Sequence, residues 1–126
     1  MIVDDEDEVR NLLTFYMESA GCEQIDTAET GSDALVLALR TTYDLITLDI
    51  LMSEAGGLDV LPALRAACPY TIIAVISGFT EVMGSEEAEM ANVVIDKPFS
   101  SEKIHDLAQL AREIAERHTA IRALGA

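Results

Sequence analysis

Positive charge is scarce in this chain. Its 126 residues include eight lysines and arginines against 23 acids, which gives a formal net charge of −15. Affinity for nucleic acids rests on lysine and arginine side chains that neutralise phosphates, so we expect no direct binding of nucleic acid. Long apolar runs are also missing, and none approaches the roughly 20 residues that span a bilayer. Acids follow the first three residues directly, and we therefore expect neither a signal peptide nor a membrane contact.

Cysteine and tryptophan are also scarce. The chain has no tryptophan and two cysteines, Cys22 and Cys68, which lie far apart and show no CxxC or Cys/His spacing. This argues against a disulfide framework or a zinc site and indicates reduced, buried thiols in a cytoplasmic protein. Half of the residues are apolar and a quarter are charged, as in ordinary globular proteins. We expect a single domain, residues 1–126, with a core of its own.

Short apolar runs rich in β-branched residues alternate with helical patterns along the chain. Such runs are typical of buried parallel strands, and their alternation with helices implies an α/β fold with a doubly wound sheet. The pattern predicts strands β1 to β5 at 2–4, 24–28, 44–49, 71–76 and 93–96. It predicts helices α1 to α5 at 7–20, 31–41, 57–67, about 81–91 and from about 100. Alternating polar and apolar residues in β2 favour an edge strand.

Four of these strands end in polar residues of different kinds. The endings are Asp4-Asp5, Asp49, Ser77-Gly78 and Lys97-Pro98. Because ligands of open parallel sheets bind outside the carboxyl ends of the strands, we expect these side chains at one edge. Three carboxylates, a hydroxyl and an ammonium suit a divalent cation and a phosphoryl group, with Asp49 as the acceptor. The carboxylates repel one another, so the pKa of at least one should be raised unless a cation is present.

The same residues carry a resemblance that covers essentially the whole chain. In order and approximate spacing, the sequence resembles the receiver domains of response regulators in two-component signalling. The matching segments are Val3-Asp4-Asp5-Glu6, residues 44–52, Gly56-Gly57-Leu58, Ile76-Ser77-Gly78 and Lys97-Pro98-Phe99. The resemblance implies a flavodoxin-like fold with five helices and strand order 2-1-3-4-5. It also implies a cis peptide bond between Lys97 and Pro98.

The resemblance assigns roles to the clustered residues. Asp49 would be the phosphoacceptor, and Ser77 and Lys97 would assist the phosphoryl transfer. Mg²⁺ would be the cofactor, bound directly by Asp5 and Asp49, through water by Asp4, and by the backbone carbonyl of Leu51. The domain would catalyse its own phosphorylation and dephosphorylation and would not otherwise be an enzyme.

Partners follow from the same resemblance. A histidine kinase or histidine phosphotransfer protein would donate the phosphoryl group. The surface formed by α4, β5 and α5 would then change its contacts with a downstream protein or an output domain. Helix α5 also carries a heptad-like seam, which either faces the core or pairs with a partner, including a second copy through α4–β5–α5. The seam consists of Ile104, Leu107, Ala111, Ile114, His118 and Ile121.

Three features depart from the family pattern. Ser53 stands where a proline is usual, four residues after the phosphoacceptor, and Val94 replaces an aromatic residue three positions before the lysine. The pair Gly84-Ser85 interrupts α4, which offers few apolar anchors. Because a glycine inside a helix costs about 1 kcal/mol relative to alanine, we expect α4 to be short or distorted.

Two other functions are compatible with parts of this pattern. A receiver-like module that is never phosphorylated would use its acidic face for docking, but it would not require the full set of Asp5, Asp49, Ser77 and Lys97. A phosphatase with Asp49 as nucleophile would require a second acid placed as general acid and a cap over the substrate. The sequence contains no insertion that could form such a cap.

Overall fold

The computed structural model describes residues 1–52 and 56–125. Within these ranges the strands are β1 (Ile2–Val3), β2 (Thr27–Ala28), β3 (Leu45–Leu48), β4 (Ile72–Ser77) and β5 (Val93–Asp96). The helices are α1 (Asp7–Ser19), α2 (Gly31–Arg40), α3 (Gly57–Ala67), α4 (Ser85–Met90) and α5 (Ser101–Ala123), with a 3₁₀ turn at Thr80–Val82. No helix in the described ranges is long and apolar enough to cross a membrane.

The five strands form one parallel sheet in the order β2-β1-β3-β4-β5. Helix α1 packs beside α5, whereas α2 packs beside α3 and α3 beside α4. Two apolar cores, built from different sets of side chains, result from this arrangement. The predicted doubly wound, flavodoxin-like fold with strand order 2-1-3-4-5 is therefore confirmed.

Strand β2 is shorter than predicted. The sequence suggested residues 24–28, but only Thr27–Ala28 pair with β1. The register explains the difference, because Ile2 stands opposite Thr27 and Val3 opposite Ala28. Residues 24 and 25 therefore lie beyond the first residue of β1 and have no β1 residue opposite them.

Helix α4 differs most from its predicted bounds of about 81–91. The chain instead makes the 3₁₀ turn Thr80–Val82 and then a helix of six residues, Ser85–Met90. Gly84 has extended backbone angles and stands directly before this helix as its N-cap. No residue of α4 is buried, so the expectation of a short helix with few anchors is confirmed.

Helix α5 is extended, as expected, and uses only part of its seam in the core. Ser100 caps it by accepting a hydrogen bond of 3.1 Å from the backbone N–H of Lys103. The buried residues are Ile104, Leu107, Ala108 and Ala111. Further along, Ile114 is 37% exposed and Ile121 is 65% exposed, so the second half of the seam faces solvent.

Two buried threonines provide a matched stability test. Both side chains lie in the sheet region, Thr47 at 1% and Thr71 at 5% exposure. The hydroxyl of Thr71 donates to the carbonyl of Tyr43 at 2.7 Å, whereas that of Thr47 has no hydrogen-bond partner within residues 1–52 and 56–125. Burying an unpaired hydroxyl is unfavourable, and removing a bonded one loses the bond.

We therefore expect Thr47→Val to raise the free energy of unfolding by about 1 kcal/mol and Thr71→Val to lower it by about 1 kcal/mol. Urea unfolding of the two variants beside wild type measures both changes. Equal destabilisation by the two substitutions would show that the Thr47 hydroxyl is bonded in solution.

Candidate functional site

The pairing of β1 with β3 brings two acids together at the carboxyl edge of the sheet. Val3 stands opposite Leu48 in the parallel register, and the N–H of Asp49 donates to the carbonyl of Val3 at 2.9 Å. Asp4 and Asp49, the next residues of these strands, are 1% and 4% exposed. Two acids are thus held side by side and out of bulk water.

The pairing of β4 with β5 places a hydroxyl and an ammonium at the same edge. Ser77 stands opposite Asp96, and the N–H of Lys97 donates to the carbonyl of Ser77 at 2.9 Å. Ser77 is completely buried, and its Oγ accepts a hydrogen bond of 3.4 Å from the N–H of Phe79. The hydroxyl is therefore linked directly to the loop that leads to the 3₁₀ turn.

Lys97 joins the two halves of the edge. Its Nζ donates to Oδ2 of Asp4 at 2.9 Å and to Oδ2 of Asp49 at 3.4 Å. The second oxygen of each acid accepts a backbone N–H: that of Glu6 at 2.9 Å for Asp4 and that of Leu51 at 3.1 Å for Asp49. Both carboxylates are thus oriented by the ammonium of Lys97 on one side and by a backbone N–H of the following loop on the other.

Burial and neighbouring polar groups act against each other at this edge. Desolvation raises the pKa of Asp4, and the charge of Asp49 adds to this, although the N–H of Glu6 and the ammonium of Lys97 act in the opposite direction. Desolvation lowers the pKa of Lys97, but its hydrogen bond to Asp4 and the charges of Asp4, Asp49 and Glu6 outweigh it, so the net pKa is raised. The pKa of Asp4 is raised in the expected direction, but desolvation contributes more to the shift than the repulsion between carboxylates on which the expectation rested.

The raised pKa of Asp4 predicts a stability effect. A carboxyl that holds its proton more tightly in the folded state destabilises that state once ionised, so this contribution falls as pH rises from the unfolded pKa through the folded one. We expect Asp4→Asn to be more stable than wild type at pH 7 in EDTA, and to lose less of its free energy of unfolding than wild type as the pH rises from 4 to 7.

Urea unfolding across this pH range measures the effect of Asp4→Asn, with the exposed Asp59→Asn as a control for the loss of one negative charge. An Asp4→Asn protein that is less stable than wild type at pH 7 would show that the ion pair with Lys97 outweighs the cost of burial.

The carboxylates have the chemistry of a cation site. One carboxylate oxygen from each of Asp4, Asp5, Glu6 and Asp49 lies within 4.8 Å of the others. Such a set of oxygen ligands fits a hard divalent cation such as Mg²⁺. The sequence reasoning placed Asp4, Asp5 and Asp49 here but missed Glu6, although its position next to the Asp4-Asp5 pair was a signal. Leu51 lies beside Asp49 through the N–H contact described above.

Other features noted in the sequence also concern this edge. The peptide bond between Lys97 and Pro98 is cis, as the resemblance implied. Val94 is 37% exposed on β5, and it offers no ring at that position. A separate contact ties the 3₁₀ turn to the end of β5, because the hydroxyl of Thr80 donates to the carboxylate of Asp96. Ser53, which replaces the usual proline, lies outside the described residues.

Comparisons with known proteins agree with this geometry. The family model described as response regulator receiver domain matches residues 1–109. The chain is 36% identical over 105 residues to the transcriptional regulatory protein SrrA of Staphylococcus aureus, covering 82% of this chain and 43% of SrrA. It is 32% identical over 121 residues to a protein-glutamate methylesterase/protein-glutamine glutaminase of Archaeoglobus fulgidus, covering 93% of this chain and 34% of that protein. The chain thus spans less than half the length of these relatives.

A solved structure of a response regulator is also similar to this chain. The response regulator TrrA from Thermotoga maritima, solved in complex with Mg²⁺ and BeF, superposes with a TM-score of 0.79 at 29% identity. The alignment covers 87% of this chain and 95% of TrrA. The sheet of this chain has the strand order β2-β1-β3-β4-β5 and carries acids, a serine and a lysine on its carboxyl edge. The family model matches most of the sequence. The chain belongs to the response regulator receiver domains of two-component systems.

Proposed function

We propose that this domain is a phosphoacceptor whose Asp49 takes a phosphoryl group from a histidine kinase or a histidine phosphotransfer protein. The observation that carries the proposal is the setting of the Asp49 carboxylate. It is 4% exposed, lies 3.4 Å from the ammonium of Lys97 and belongs to a cluster of four acids. Burying charges is costly. Stability alone therefore does not explain why this carboxylate is buried beside an ammonium and other acids.

Receiver domains bind Mg²⁺ in their acidic pocket, and the donor set of this chain fits that ion. We assign Asp5 and Asp49 as direct ligands, Asp4 as a ligand through water, and the backbone carbonyl of Leu51 as a further ligand. When bound, Mg²⁺ would offset the repulsion between the carboxylates and an incoming phosphate. Glu6, whose carboxylate lies in the same cluster, would add negative charge at this position.

The transfer itself requires positioning and neutralisation of charge more than covalent help from the protein. An oxygen of Asp49 attacks the phosphorus and forms a new O–P bond. The bond from phosphorus to the donor nitrogen or oxygen breaks, and the leaving group keeps its electron pair. The ammonium of Lys97 stabilises the transferred oxygens. The hydroxyl of Ser77 donates to one of them, and the product is an acyl phosphate.

Mass spectrometry of the intact protein tests this proposal. We expect one added phosphoryl group after incubation with acetyl phosphate and Mg²⁺, and none when EDTA replaces Mg²⁺. The reason is that the four clustered acids repel the phosphodonor unless a divalent cation offsets their charge. An unmodified protein under both conditions would contradict the proposal and favour a receiver-like docking module that is never phosphorylated.

Phosphorylation would act on the surface through the loop after β4. Phosphoaspartate brings about −1.5 to −2 of charge in place of −1. As Ser77 turns its hydroxyl toward the new group, it would alter its contact with the N–H of Phe79. The Thr80 contact with Asp96 and the short α4 are the next elements along the chain. We therefore assign the α4–β5–α5 surface as the part that changes its protein contacts.

Hydrogen exchange tests this assignment. Because no α4 residue is buried, we expect amides in residues 80–91 to exchange fast in the unphosphorylated protein and more slowly after phosphorylation. Amides of β3 and β4, which lie inside the sheet, serve as the internal control and should stay slow in both states. Exchange in 80–91 that is as slow as in β3 and β4 before phosphorylation would contradict the assignment.

The wider partners of the domain follow the same proposal. Because the chain spans 34% and 43% of the two curated relatives, a downstream protein or a separate output domain would receive the signal. The exposed half of the α5 seam, with Ile114 and Ile121, is available for such a contact or for a homodimer through α4–β5–α5. We place the domain in the cytoplasm, where histidine kinases present their phosphoryl groups, and assign it no enzymatic activity beyond its own phosphorylation and dephosphorylation.

A further inference from the structure

Arg10 is a buried charge that the proposed reaction does not use. It lies in α1 and is 9% exposed, and it is the only base among the buried residues of the described ranges. Burying a charge is costly unless it is paired and hydrogen-bonded. The contacts of Arg10 therefore indicate what its burial achieves.

The guanidinium of Arg10 holds the backbone of the acidic loop. Its Nη1 donates to the carbonyl oxygen of Asp4 at 2.8 Å. Its Nη2 donates to a carboxylate oxygen of Glu29, directly after β2, at 3.3 Å, and it also contacts the carboxylate of Asp7. Asp7 and Glu29 are exposed, so water screens those two ion pairs. The buried bond to Asp4 is the one that the surroundings protect from competition.

The carbonyl of Asp4 is part of the peptide unit that joins Asp4 to Asp5. A peptide unit is planar, so fixing its carbonyl fixes the direction in which the Asp5 backbone leaves. The N–H of Asp4 is held separately by the carbonyl of Ala28 at 3.1 Å. The backbone of Asp4 is thus anchored on both sides, and this anchoring acts against the mutual repulsion of the clustered acids.

We propose that Arg10 is a positioning residue for the divalent cation. Arg10 keeps the Asp4–Asp5 peptide where both side chains face Asp49. The inference rests on the proposed function, because it concerns the same cation. A guanidinium has five donors in a fixed planar fork, which lets it bond a carbonyl and two carboxylates in different directions, and it stays charged at every physiological pH. A lysine at this position would keep the charge and lose the geometry.

Calorimetric titration with Mg²⁺ tests the inference without any phosphorylation. Loss of a residue that orients metal ligands typically weakens metal affinity by about 10- to 100-fold, so Arg10→Met should raise the Mg²⁺ dissociation constant by about tenfold or more. In a second readout, the Mg²⁺ concentration for half-maximal phosphorylation by acetyl phosphate should rise by the same factor. The maximal rate at saturating Mg²⁺ should stay unchanged, because Arg10 touches no reacting atom.

Arg112→Met is the matched control. Arg112 also donates to a main-chain carbonyl, that of Ala20, at 2.8 Å, but beyond the opposite end of α1. The Mg²⁺ dissociation constant of this variant should equal that of wild type. Arg10→Lys, which keeps the charge and serves where Arg10→Met does not fold, should also bind Mg²⁺ more weakly than wild type.

The outcomes separate the inference from the proposed function. Wild-type Mg²⁺ affinity in Arg10→Met, or in Arg10→Lys where Arg10→Met does not fold, would overturn the role of Arg10 and leave the proposed function intact. A wild-type protein that binds no Mg²⁺ would overturn both. A lower maximal rate with an unchanged dissociation constant would also contradict positioning of the cation.

Discussion

Asp49→Asn is expected to accept no phosphoryl group from acetyl phosphate and Mg²⁺, whereas wild type accepts one. The amide lacks the negative charge and the nucleophilic oxygen from which an acyl phosphate forms. Its Oδ1 can still accept the N–H of Leu51, which wild type bonds at 3.1 Å, so the loop after β3 should keep its shape. The loss should therefore be one of chemistry and not of folding, and mass spectrometry of the intact protein measures it.

Asp59→Asn is the control for this variant. It removes the same charge from an exposed position on α3, and it should be phosphorylated like wild type. Modification of Asp49→Asn at the wild-type level would place the phosphoacceptor elsewhere. Loss of modification in both variants would indicate a general effect of charge on the reaction.

Gly57→Ala is expected to destabilise the fold and to disturb Asp49 at the same time. A Cβ at position 57 would lie 1.9 Å from the carbonyl oxygen of Asp49, 2.8 Å from its carbonyl carbon and 3.0 Å from Cα of Ile50. All three are backbone atoms, so either the start of α3 or the end of β3 must move. Forcing atoms into packed regions costs typically 1–3 kcal/mol and occasionally more. We expect a loss of about 3 kcal/mol in the free energy of unfolding and a slower phosphorylation.

Gly78→Ala is the matched control for stability. In the part of the chain that the structure describes, no atom outside Gly78 and its two neighbouring residues lies within 4 Å of a Cβ built at Gly78, so urea unfolding should show little change. Equal stability of Gly57→Ala and Gly78→Ala would mean that α3 does not approach β3 as closely as the structure shows.

The sequence predicted which side chains share the carboxyl edge of the sheet because one rule of sheet geometry relates chain order to space. Residues that end neighbouring parallel strands meet at one edge, so Asp4, Asp49, Ser77 and Lys97 could be placed together without a structure. The observed register, Val3 opposite Leu48 and Ser77 opposite Asp96, shows why this worked. Helix α4 was predictable for a local reason, since Gly84 and the lack of apolar anchors act within the segment itself.

The features that could not be predicted depend on contacts between distant segments. The extent of β2 depends on how many β1 residues stand opposite it, and a hydrophobic pattern does not contain that number. Arg10 was missed because an arginine in an amphipathic helix is expected on the solvent side. Its burial results from a bond to the main chain of Asp4 and a contact with Glu29 on a different loop.

Chemical mapping of the modified residue tests the central claim most directly. Borohydride reduces an acyl phosphate to the alcohol, so phosphoaspartate becomes homoserine, and peptide mass spectrometry then locates it. After treatment with acetyl phosphate and Mg²⁺, we predict that homoserine replaces Asp49 and no other aspartate. Homoserine at Asp4 or Asp5, or a phosphate that resists reduction on Ser77, would contradict the account.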